Sequence, residues 1–596
     1  MQEYIQTIDK LEEALSYLKA QSAVAVDTET TGLDFITDKI LLIQVGNEFN
    51  QYVFDVNSLG SDIYPLLDWM KNKEVVKVFH NAKFDYSFFK TNFDVELENI
   101  RCTMVANQLL TQGLKLSSSL KAILDKYLGI GMSKEEQASF IGMSMGDKFS
   151  PEQIKYAADD VKHLMNLYKK LQTLLLERDM GTLAELEYET IRVTADLEIN
   201  GIYINKDKWL ALKDSAEQRM LNAKAELDEH FKPHCGVDLF GGADVNYNSP
   251  KQIQPVLQKI TGQLIESTGE FALKRIQHPV IECLLKYREA TKKMSTYGSE
   301  FIDKYVHPST DRIHSQFKQL GADSGRFASK DPNMTNIPSE AEYRAAFTTQ
   351  SDDYKLIAAD FSGQELRLLA HLSQENQFIH ALNNNMDLHS YSASLIFGID
   401  YDSFFDEEGN IKKEMKKKYR NPAKSLTFGL IYGIGPYKLA ANLNISKEEA
   451  RELMNRYFKT FPKIKYTLDQ LSNFARKNKY ALSPLDKRRR DLSTFDWDNG
   501  RQVAHALNIS KNLPFQGAGA STTKLALCRI KKAIDSNNYD AKIVNVIHDE
   551  VLVECHKDQA DDIAKMVETE MTKAFNYFAP SIPMDVEAEI GDYWIH

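Results

Sequence analysis

The first part of the chain alternates short apolar runs with amphipathic segments of helical spacing. SAVAVDTET (22–30) and KILLIQVG (39–46) have the length and residue types of buried strands. Long helical stretches replace this alternation from about 176 to 300, and strands and helices are mixed again after 310. The pattern predicts an α/β region followed by a larger α+β region, in a chain too long for one hydrophobic core.

Two apolar strands near the C-terminus, 543–547 and 551–553, enclose His548, Asp549 and Glu550. Another strand, YKLIAAD (354–360), ends at Asp360, and a helix is predicted from about Ser362. A polar turn without function would explain the hairpin residues, since Asp is common in turns. Alternatively, the two acids meet in one sheet and bind divalent ions, which prefer carboxylate oxygens. Both interpretations are open on these segments alone.

A second group of acids begins in AVAVDTETTGLD (23–34). Asp27 and Glu29 are two residues apart on a strand, so both side chains point to the same face. Like charges this close repel and raise each other's pKa unless a cation lies between them. A divalent metal ion is the simplest such cation.

Further acids occur at spacings that fit the same site. FHNAKFDYSFF (79–89) contains Asp85, and a helix capped by Ser150 contains Tyr156 and Asp160. Tyr156 and Asp160 share a face of that helix, whereas Asp159 is predicted to point elsewhere. Each acid alone can be a surface residue, but together they predict a metal site.

RNPAKSLTFGLIYG (420–433) places two cations and two aromatic rings on one helical stripe. Arg420, Lys424, Phe428 and Tyr432 recur every four residues. Such a helix offers charge to the phosphates of a nucleoside triphosphate and a flat ring to its base. An amphipathic helix with a basic start is the alternative.

The composition, 43% hydrophobic and 26% charged residues, is that of an ordinary soluble protein. The net charge of −11 argues against a nucleic-acid coat protein, yet 412–424 and 476–490 are strongly basic. These two tracts are either solvated helix faces or local phosphate contacts. Five cysteines without CxxC spacing indicate neither a disulfide framework nor a zinc site, and no apolar run has the length of a membrane span. An intracellular protein is expected.

Three ordered motifs resemble those of family A DNA polymerases, of the bacterial DNA polymerase I type. DFSGQELR (360–367) and IHDE (547–550) resemble the two palm motifs, and 420–433 resembles the fingers helix. GADSGRFASKDPNMTNIP (321–338), DLH (387–389) and NLPFQG (512–517) support the resemblance. The order Asp-x-Glu, Asn-x3-Asp, Tyr-x3-Asp over residues 20–172 resembles 3′–5′ exonucleases.

The resemblance implies a multidomain fold of α/β and α+β parts. An RNase H-like 3′–5′ exonuclease domain would occupy 1–176, and a right-hand polymerase domain 177–596. Within the latter, the thumb is expected at about 205–310, the palm at about 311–380 and 495–596, and the fingers at about 381–494. Because Asp27 follows Met1 so closely, no 5′-nuclease domain is expected before the exonuclease.

The implied activity is template-directed DNA synthesis from dNTPs with proofreading of 3′ ends. Each active site would use two Mg²⁺ ions, with Mn²⁺ as a substitute. Expected partners are primer–template DNA, dNTPs and single-stranded 3′ ends; a helicase or processivity factor is left open. A monomer without membrane contact is expected, in a bacterial cytoplasm, a virus-infected host cell or an organelle. Replication and repair are both open as its duty.

The resemblance also implies roles for individual residues. The implied metal ligands are carboxylates: Asp360, Asp549, Asp27, Glu29, Asp85 and Asp160. Glu550 would lie close to the palm metals, and Tyr156 would orient the attacking water. The implied nucleotide contacts are Lys424, Arg420 and His389 for the phosphates, Phe428 for the base, Tyr432 beside the templating position, and Glu365 against a ribose 2′-OH. The implied DNA contacts are Arg326, Asn512, Gln516 and His548 in the minor groove and Arg488 at a phosphate.

The chain departs from the family pattern at several positions. Gly363, Thr335 and Ser521 replace residues that the family often has there, so the family's contacts at these positions are not assumed. Pro422 predicts that the fingers helix starts near Asn421, because proline fits a helix only in its first turn. Arg420 would then lie just outside the helix, whose N-terminus would face the triphosphate.

Two other functions are compatible with parts of the pattern. One is a catalytically inactive polymerase-like scaffold that binds DNA while the exonuclease domain trims 3′ ends. The other is a single-subunit RNA polymerase with a similar palm, which Glu365 and the exonuclease motifs disfavour.

Overall fold

The computed structural model describes residues 1–131, 137–298, 300–338 and 340–595. It contains two compact units. The first comprises Met1–Asn200, Gln316–Thr335 and Ile357–Ile590, and the second comprises Gly201–Ser315, Asn336–Leu356 and residues 591–595. No helix in these described parts is both long enough and apolar enough to cross a membrane.

The secondary structure elements follow in chain order. The elements up to residue 200 are β1 Gln2–Ile5, α1 Ile8–Leu18, β2 Ala23–Thr30, β3 Ile40–Gly46, β4 Gln51–Asp55, α2 Val56–Leu59, α3 Tyr64–Met70, β5 Val76–Phe79, α4 Ala82–Phe93, β6 Ile100–Cys102, α5 Thr103–Leu110, α6 Leu120–Leu128, α7 Pro151–Lys162, α8 Leu164–Glu177 and α9 Gly181–Asn200. The elements from 201 to 361 are β7 Ile202–Tyr203, α10 Lys206–Cys235, α11 Pro250–Thr261, α12 Glu270–Leu273, α13 Pro279–Tyr297, α14 Glu300–Tyr305, β8 Arg312–Ile313, β9 Gln316–Lys318, β10 Ala328–Lys330, α15 Ala341–Arg344 and β11 Tyr354–Phe361. The remaining elements are α16 Gln364–Ser373, α17 Asn376–Asn383, α18 Leu388–Phe397, α19 Lys413–Met415, a π-helical turn Lys416–Arg420, α20 Asn421–Ile431, α21 Pro436–Leu443, α22 Lys447–Thr460, α23 Pro462–Asn478, β12 Tyr480–Leu482, β13 Arg489–Asp491, α24 Gly500–Asn537, β14 Ala541–Ile547, β15 Glu550–His556, α25 Ala560–Phe578 and β16 Val586–Gly591.

A six-stranded mixed sheet forms the centre of residues 1–200. Its strand order is β1-β4-β3-β2-β5-β6. The pairs β2–β3 and β3–β4 are antiparallel, whereas β1–β4, β2–β5 and β5–β6 are parallel. The apolar runs that predicted strands at 22–30 and 39–46 form β2 and β3, and β3 is buried along its whole length. The predicted α/β architecture of this region is confirmed.

A four-stranded sheet of order β14-β15-β11-β16 lies in the rest of the first unit. The predicted C-terminal hairpin is present as β14 and β15, which pair antiparallel with Ile547 opposite Glu550. The 38-residue helix α24 is buried over much of its length and includes Pro514 in its interior. This mixture of sheet and long helices confirms the α+β character predicted after residue 310.

The second unit is mainly helical, as the long helical stretches predicted. Its helices α10 and α13 span 30 and 19 residues. Trp209 of α10 is fully buried and stacks on Phe301, with ring centroids 4.5 Å apart. Tyr343 and Phe347 make edge-to-face contacts with the same indole. This aromatic cluster stabilises the second unit.

Candidate active sites

Asp27, Glu29 and Asp160 converge in the first unit. Asp27 and Glu29 lie on β2 with one residue between them, and Asp160 lies on α7. One carboxylate oxygen from each residue lies within 4.8 Å of the other two. The prediction that these three acids form one group is therefore confirmed in geometry.

Asp85 lies beside this group, on the first turn of α4. Its carboxylate accepts a hydrogen bond of 2.7 Å from the hydroxyl of Thr28, the β2 residue between the other two acids. Burial raises the pKa of Asp85 to about 7. Thr28 was not predicted as a site residue, although its place between Asp27 and Glu29 is a signal that could have found it.

The cap of α7 explains how Tyr156 and Asp160 are positioned. Ser150 and Gln153 form the predicted capping box, so the start of the helix is fixed. Tyr156 donates a hydrogen bond to Asp160, and burial together with the nearby carboxylates raises the pKa of the tyrosine. Asp159 instead accepts a hydrogen bond of 2.9 Å from Gln2 on the exposed surface, as predicted.

These residues line a cavity of about 820 Å³. Its other walls include Phe84 and Met104, and the segment 316–320 closes one side. Lys83, also at the wall, forms an ion pair with Glu198 and donates a hydrogen bond of 2.9 Å to the carbonyl of Phe317. Neither Lys83 nor Glu198 was predicted, because their pairing joins segments that are distant in sequence.

The charge of the carboxylate group fits a divalent cation. Burial raises the pKa of Asp27 well above its usual value, and the neighbouring Asp85, Asp160 and Glu29 raise it further. Burial raises the pKa of Glu29, and the carboxylates of Asp160 and Asp85 raise it further. The four carboxylates disfavour one another's ionisation. A bound cation that prefers oxygen ligands would stabilise all four in their ionised form. Asp27, Glu29, Asp85 and Asp160 could therefore hold divalent metal.

We expect Asp85→Asn to raise the free energy of unfolding in metal-free buffer. Because the folded-state pKa of Asp85 is raised to about 7, its ionisation disfavours the folded state as the pH increases. The increase in the free energy of unfolding should be small near pH 4, which is close to the pKa of the acid in the unfolded chain. It should reach about 1–3 kcal/mol above pH 7. Urea unfolding in EDTA at several pH values measures this difference.

Asp159→Asn is the matched control, since Asp159 is only partly buried and hydrogen-bonds Gln2 at the surface. A gain for Asp85→Asn that does not change between pH 4 and pH 8 would contradict the assignment of the raised pKa. Added Mg²⁺ should stabilise the parent protein more than Asp85→Asn, because metal binding to the folded state alone raises stability.

The second pair of predicted acids lies in the four-stranded sheet. Asp360 is the penultimate residue of β11, and Asp549 lies in the two-residue turn between β14 and β15. Because β15 and β11 are neighbours, both acids belong to adjoining parts of one sheet. Glu550 is the first residue of β15 and is buried, so it belongs to the strand rather than to the turn.

Contacts with α24 place the two acids at one end of that sheet. Gln364, which begins α16 just after β11, packs so closely on Gly519 that an added Cβ would lie 2.5 Å from its side-chain oxygen. One turn further along α24, Thr523 donates a hydrogen bond of 3.4 Å to the carbonyl of His548. One turn of a single helix thus contacts the chain beside both acids.

The predicted start of the fingers helix near Asn421 is only half right. The α-helix α20 does begin at Asn421, but a π-helical turn precedes it without a break, and Arg420 has helical backbone angles. The wider π turn accommodates Pro422, which lacks an N–H and would crowd the preceding turn of an α-helix. The prediction that Arg420 lies outside the helix and that a free N-terminus faces the triphosphate is therefore wrong.

Arg420 is held by Asp387, the N-cap of α18. Its guanidinium donates two hydrogen bonds, of 2.8 and 2.7 Å, to the Asp387 carboxylate. Although burial alone would raise the pKa of Asp387, hydrogen bonds from Arg420 and Ser390 hold it at about 2. Asp387 was missed as a site residue, although its place as the N-cap in DLH could have indicated it.

The aromatic part of the predicted stripe is in place. The rings of Phe428 and Tyr432 are nearly parallel, with centroids 6.4 Å apart. His389 lies 5.8 Å from Phe428. Burial and the cations Arg420 and Lys424 lower the pKa of His389 to about 4, so its ring is neutral at neutral pH. Lys424 is exposed.

Glu365, on the first turn of α16 shortly after Asp360, contacts the C-terminal end of α20. Its carboxylate accepts a hydrogen bond from Tyr432 and forms an ion pair of 2.5 Å with Arg326. The predicted brace between Glu365 and Tyr432 is thus present. Gln516 also hydrogen-bonds Tyr432, and burial with the Glu365 carboxylate raises the pKa of that tyrosine.

The remaining predicted DNA contacts lie at different depths. His548 is exposed in the hairpin turn, with a left-handed φ of 56°. Asn512 and Gln516 are on α24 and are partly buried. The Asn512 side-chain oxygen is buried without a hydrogen-bond partner among the described residues.

Arg488 is not placed where it could contact a DNA phosphate. Its side chain has no exposed surface and pairs with Glu187 at 2.9 Å and Asp486 at 3.2 Å. Lys524 pairs with the same Glu187 at 2.7 Å, and burial lowers the pKa of Lys524 to about 8. The predicted phosphate contact is contradicted, because these carboxylates already hold the guanidinium inside the protein.

The three departures from the family pattern have local structural roles. Gly363 has a left-handed φ of 62° just before α16, a conformation that suits glycine. Thr335 donates a hydrogen bond of 2.7 Å to Asn333. Ser521 donates one of 2.7 Å to Asp486 in the cluster around Arg488.

Comparison with protein families identifies two matching models. The model described as 3′-5′ exonuclease matches residues 2–176, and the model described as DNA polymerase family A matches residues 214–596. The subdivision into thumb, palm and fingers stays a prediction.

Similar proteins include several bacterial enzymes named DNA polymerase I. The one from Aquifex aeolicus is 30% identical over 625 residues, which cover 99% of this chain and 99% of the relative. The one from Borreliella burgdorferi is 31% identical and the one from Caldicellulosiruptor bescii 28% identical. The chain covers 99% and 92% of its own length in these matches, but only 64% and 65% of the two relatives.

A solved structure with a similar fold is the POL domain of Pol1 from M. smegmatis, in complex with DNA primer-template and dNTP. Its TM-score is 0.85 at 25% sequence identity, and the match covers 100% of this chain and 99% of that one.

Proposed function

Because this chain belongs to DNA polymerase family A and carries a 3′–5′ exonuclease domain, we propose that it copies primed DNA from dNTPs and proofreads the product. The observation that carries this proposal is the contact between the two halves of the polymerase site. Glu365, on the first turn after Asp360, accepts a hydrogen bond from Tyr432 at the end of the cationic and aromatic helix. A nucleotide on that helix would therefore lie beside the acids of the sheet.

Asp360 and Asp549 would hold two Mg²⁺ ions, with Glu550 close by, and the four acids of the cavity would hold two more. Mn²⁺ would substitute. When bound, these ions supply a lowered pKa for the attacking hydroxyl or water and positive charge for the leaving oxygen. The raised pKa values of Asp27 and Glu29 support metal binding at the exonuclease site.

The incoming dNTP would lie along α20. Lys424 would contact the phosphates, and the neutral ring of His389 would donate a hydrogen bond to them. Arg420 would contribute through its positive field, because Asp387 holds its guanidinium. The base would pack on Phe428, and Tyr432 would border the templating position.

The exonuclease site would bind a single-stranded 3′ end. The cavity of about 820 Å³ lies in the range of ligand pockets, about 300–1,000 Å³. Its apolar wall residues would stack on unpaired bases. Tyr156 would orient the water that attacks the terminal phosphodiester, since its hydroxyl is fixed by Asp160.

The duplex would be checked through its minor groove. Arg326, Asn512, Gln516 and His548 would contact base acceptors that occur in every correct pair, so they would test shape without reading sequence. We further propose a monomer that works inside the cell, where its proposed dNTP substrates are found.

Glu365→Ala is expected to weaken the preference for dNTPs over rNTPs by about ten- to a hundredfold. The carboxylate is fixed by Arg326 and Tyr432, so its bulk would exclude a ribose 2′-OH. Glu365→Gln is the matched control, because it keeps the size of the side chain and should keep most of the discrimination. Single-nucleotide incorporation kinetics measure both; equal loss in the two variants would contradict exclusion by size.

Primer extension tests the whole proposal. The template is supplied with matched or mismatched primer ends, with dNTPs or rNTPs, and with Mg²⁺ present or chelated. We expect dNTP-dependent extension of matched ends, trimming of mismatched ends before extension, and neither reaction without Mg²⁺. Trimming without any extension would instead favour the inactive scaffold, and rNTP-dependent extension would favour an RNA polymerase.

A further inference from the structure

The basic tract 412–424 includes lysines that the proposed function leaves without a role. Lys416 and Lys417 are exposed at the π-helical turn that leads into α20, and Lys418 lies over the ring of Tyr419. No ion pair or hydrogen bond between side chains in the described parts of the chain involves Lys416 or Lys424. Both ammonium groups are therefore available to an anion.

The π turn changes which lysine shares a face with Lys424. The Asn421 N–H bonds to the carbonyl of Lys416, five residues back, so this turn contains one residue more than an α-helical turn. Lys416 and Lys424 are eight residues apart, but after this extra residue they are related as i and i+7 on a regular helix. Residues at that spacing lie on one face.

Without the π turn this alignment would be looser. Eight residues of regular α-helix turn a side chain about 80° away from the first one, whereas seven turn it about 20°. The turn therefore extends the predicted stripe by one cation at its N-terminal end. Lys417 is rotated by roughly 80–100° from Lys416 and faces elsewhere.

The order of groups along this stripe matches the order of groups in a nucleotide. Phe428 and Tyr432 form the end proposed for the base, and Lys424 lies one turn before them. Lys416 lies about 10–12 Å further along the axis from Lys424. Arg420, between the two lysines, has its guanidinium bound by Asp387. The exposed charge beyond Lys424 on this face is thus that of Lys416.

We propose that Lys416 binds the terminal phosphate of the incoming triphosphate and the pyrophosphate product. This inference rests on the proposed polymerase function and adds a residue to its nucleotide site. The π turn has a functional consequence here, because it accommodates Pro422 and aligns Lys416 with Lys424.

The test is pyrophosphorolysis, the reverse of synthesis, with inorganic pyrophosphate as the varied substrate. In this reaction a pyrophosphate oxygen bonds to the terminal α-phosphorus, and the preceding 3′ oxygen leaves and takes up a proton. We expect Lys416→Ala to raise the KM for pyrophosphate by about three- to tenfold, with kcat changed less than about twofold. The KM for dNTP should rise in the forward direction too, and Lys416→Arg should restore both values.

Lys417→Ala is the matched control, with the same charge removed one residue away, and its KM values should change less than about twofold. Equal effects of the two alanine variants, or no effect of Lys416→Ala, would overturn the proposal. A thermal unfolding curve reports that each variant is folded, and Lys416→Gln is measured if the alanine variant is not. A parent protein without extension or pyrophosphorolysis would instead contradict the proposed polymerase function.

Discussion

Asp549→Asn is expected to abolish template-directed synthesis, by about a thousandfold or more, and to leave 3′ trimming unchanged. Asp549 lies in the β14–β15 turn, at the end of the sheet that also carries Asp360. An amide cannot supply the negative charge that a metal ligand needs there. The exonuclease acids lie on β2 of the six-stranded sheet and on the helices α4 and α7, so the change should not reach them. Single-turnover extension and single-strand degradation measure the two activities.

Asp561→Asn is a suitable control for this prediction. Asp561 is exposed on the first turn of α25, which follows β15 in the chain, so the variant removes one carboxylate without touching the sheet. Its extension rate should equal that of the parent. If Asp549→Asn lost both activities, the two sites would not be separate; if it kept synthesis, Asp549 would not be a metal ligand.

Local rules were sufficient to align the acids that belong to one strand or one helix. Residues two apart on a strand share a face, and residues four apart on a helix do so as well, which aligned Asp27 with Glu29 and Tyr156 with Asp160. The hairpin at 543–553 likewise followed from its apolar arms. The pairing of distant segments came from the family resemblance, because no local rule brings Asp160 to Asp27.

The helix before Pro422 shows where a local rule failed. The prediction assumed that the residues before a proline are either in a regular α-helix or outside any helix. A π turn is a third solution, because it changes the hydrogen-bond pattern for one turn and lets Arg420 stay helical. The proline rule excludes only a regular α-helical turn before Pro422, so it does not show whether a π turn forms instead.

Arg488 shows that a local rule about charge can fail in the same way. The run 476–490 is basic, so a phosphate contact was a reasonable interpretation. The partner that buries Arg488 is Glu187, which is 301 residues away in sequence. A run of basic residues indicates positive surface potential only when no carboxylate from elsewhere in the chain pairs with it. Here a distant carboxylate makes Arg488 part of a buried ion cluster.

Asp27→Ala is expected to reduce removal of 3′-terminal nucleotides by about a thousandfold while extension continues at the parent rate. Asp27, Glu29 and Asp160 form the three-carboxylate group of the cavity, so loss of one member leaves too few ligands for the proposed ions. The variant should not lose stability, because burial and the neighbouring acids already raise the pKa of Asp27 and disfavour its charge. Degradation of a labelled single strand and extension of a matched primer measure the two rates.

Asp159→Ala provides the matched control for that result. Asp159 adjoins Asp160 in sequence but contacts Gln2 at the surface, so its removal should leave trimming unchanged. A mismatched primer adds an independent readout: the parent should trim the mismatch before extending, whereas Asp27→Ala should extend the mismatch directly or stall on it. Trimming retained by Asp27→Ala would refute the metal assignment, and trimming lost in both variants would indicate a general disturbance of the site rather than loss of a ligand.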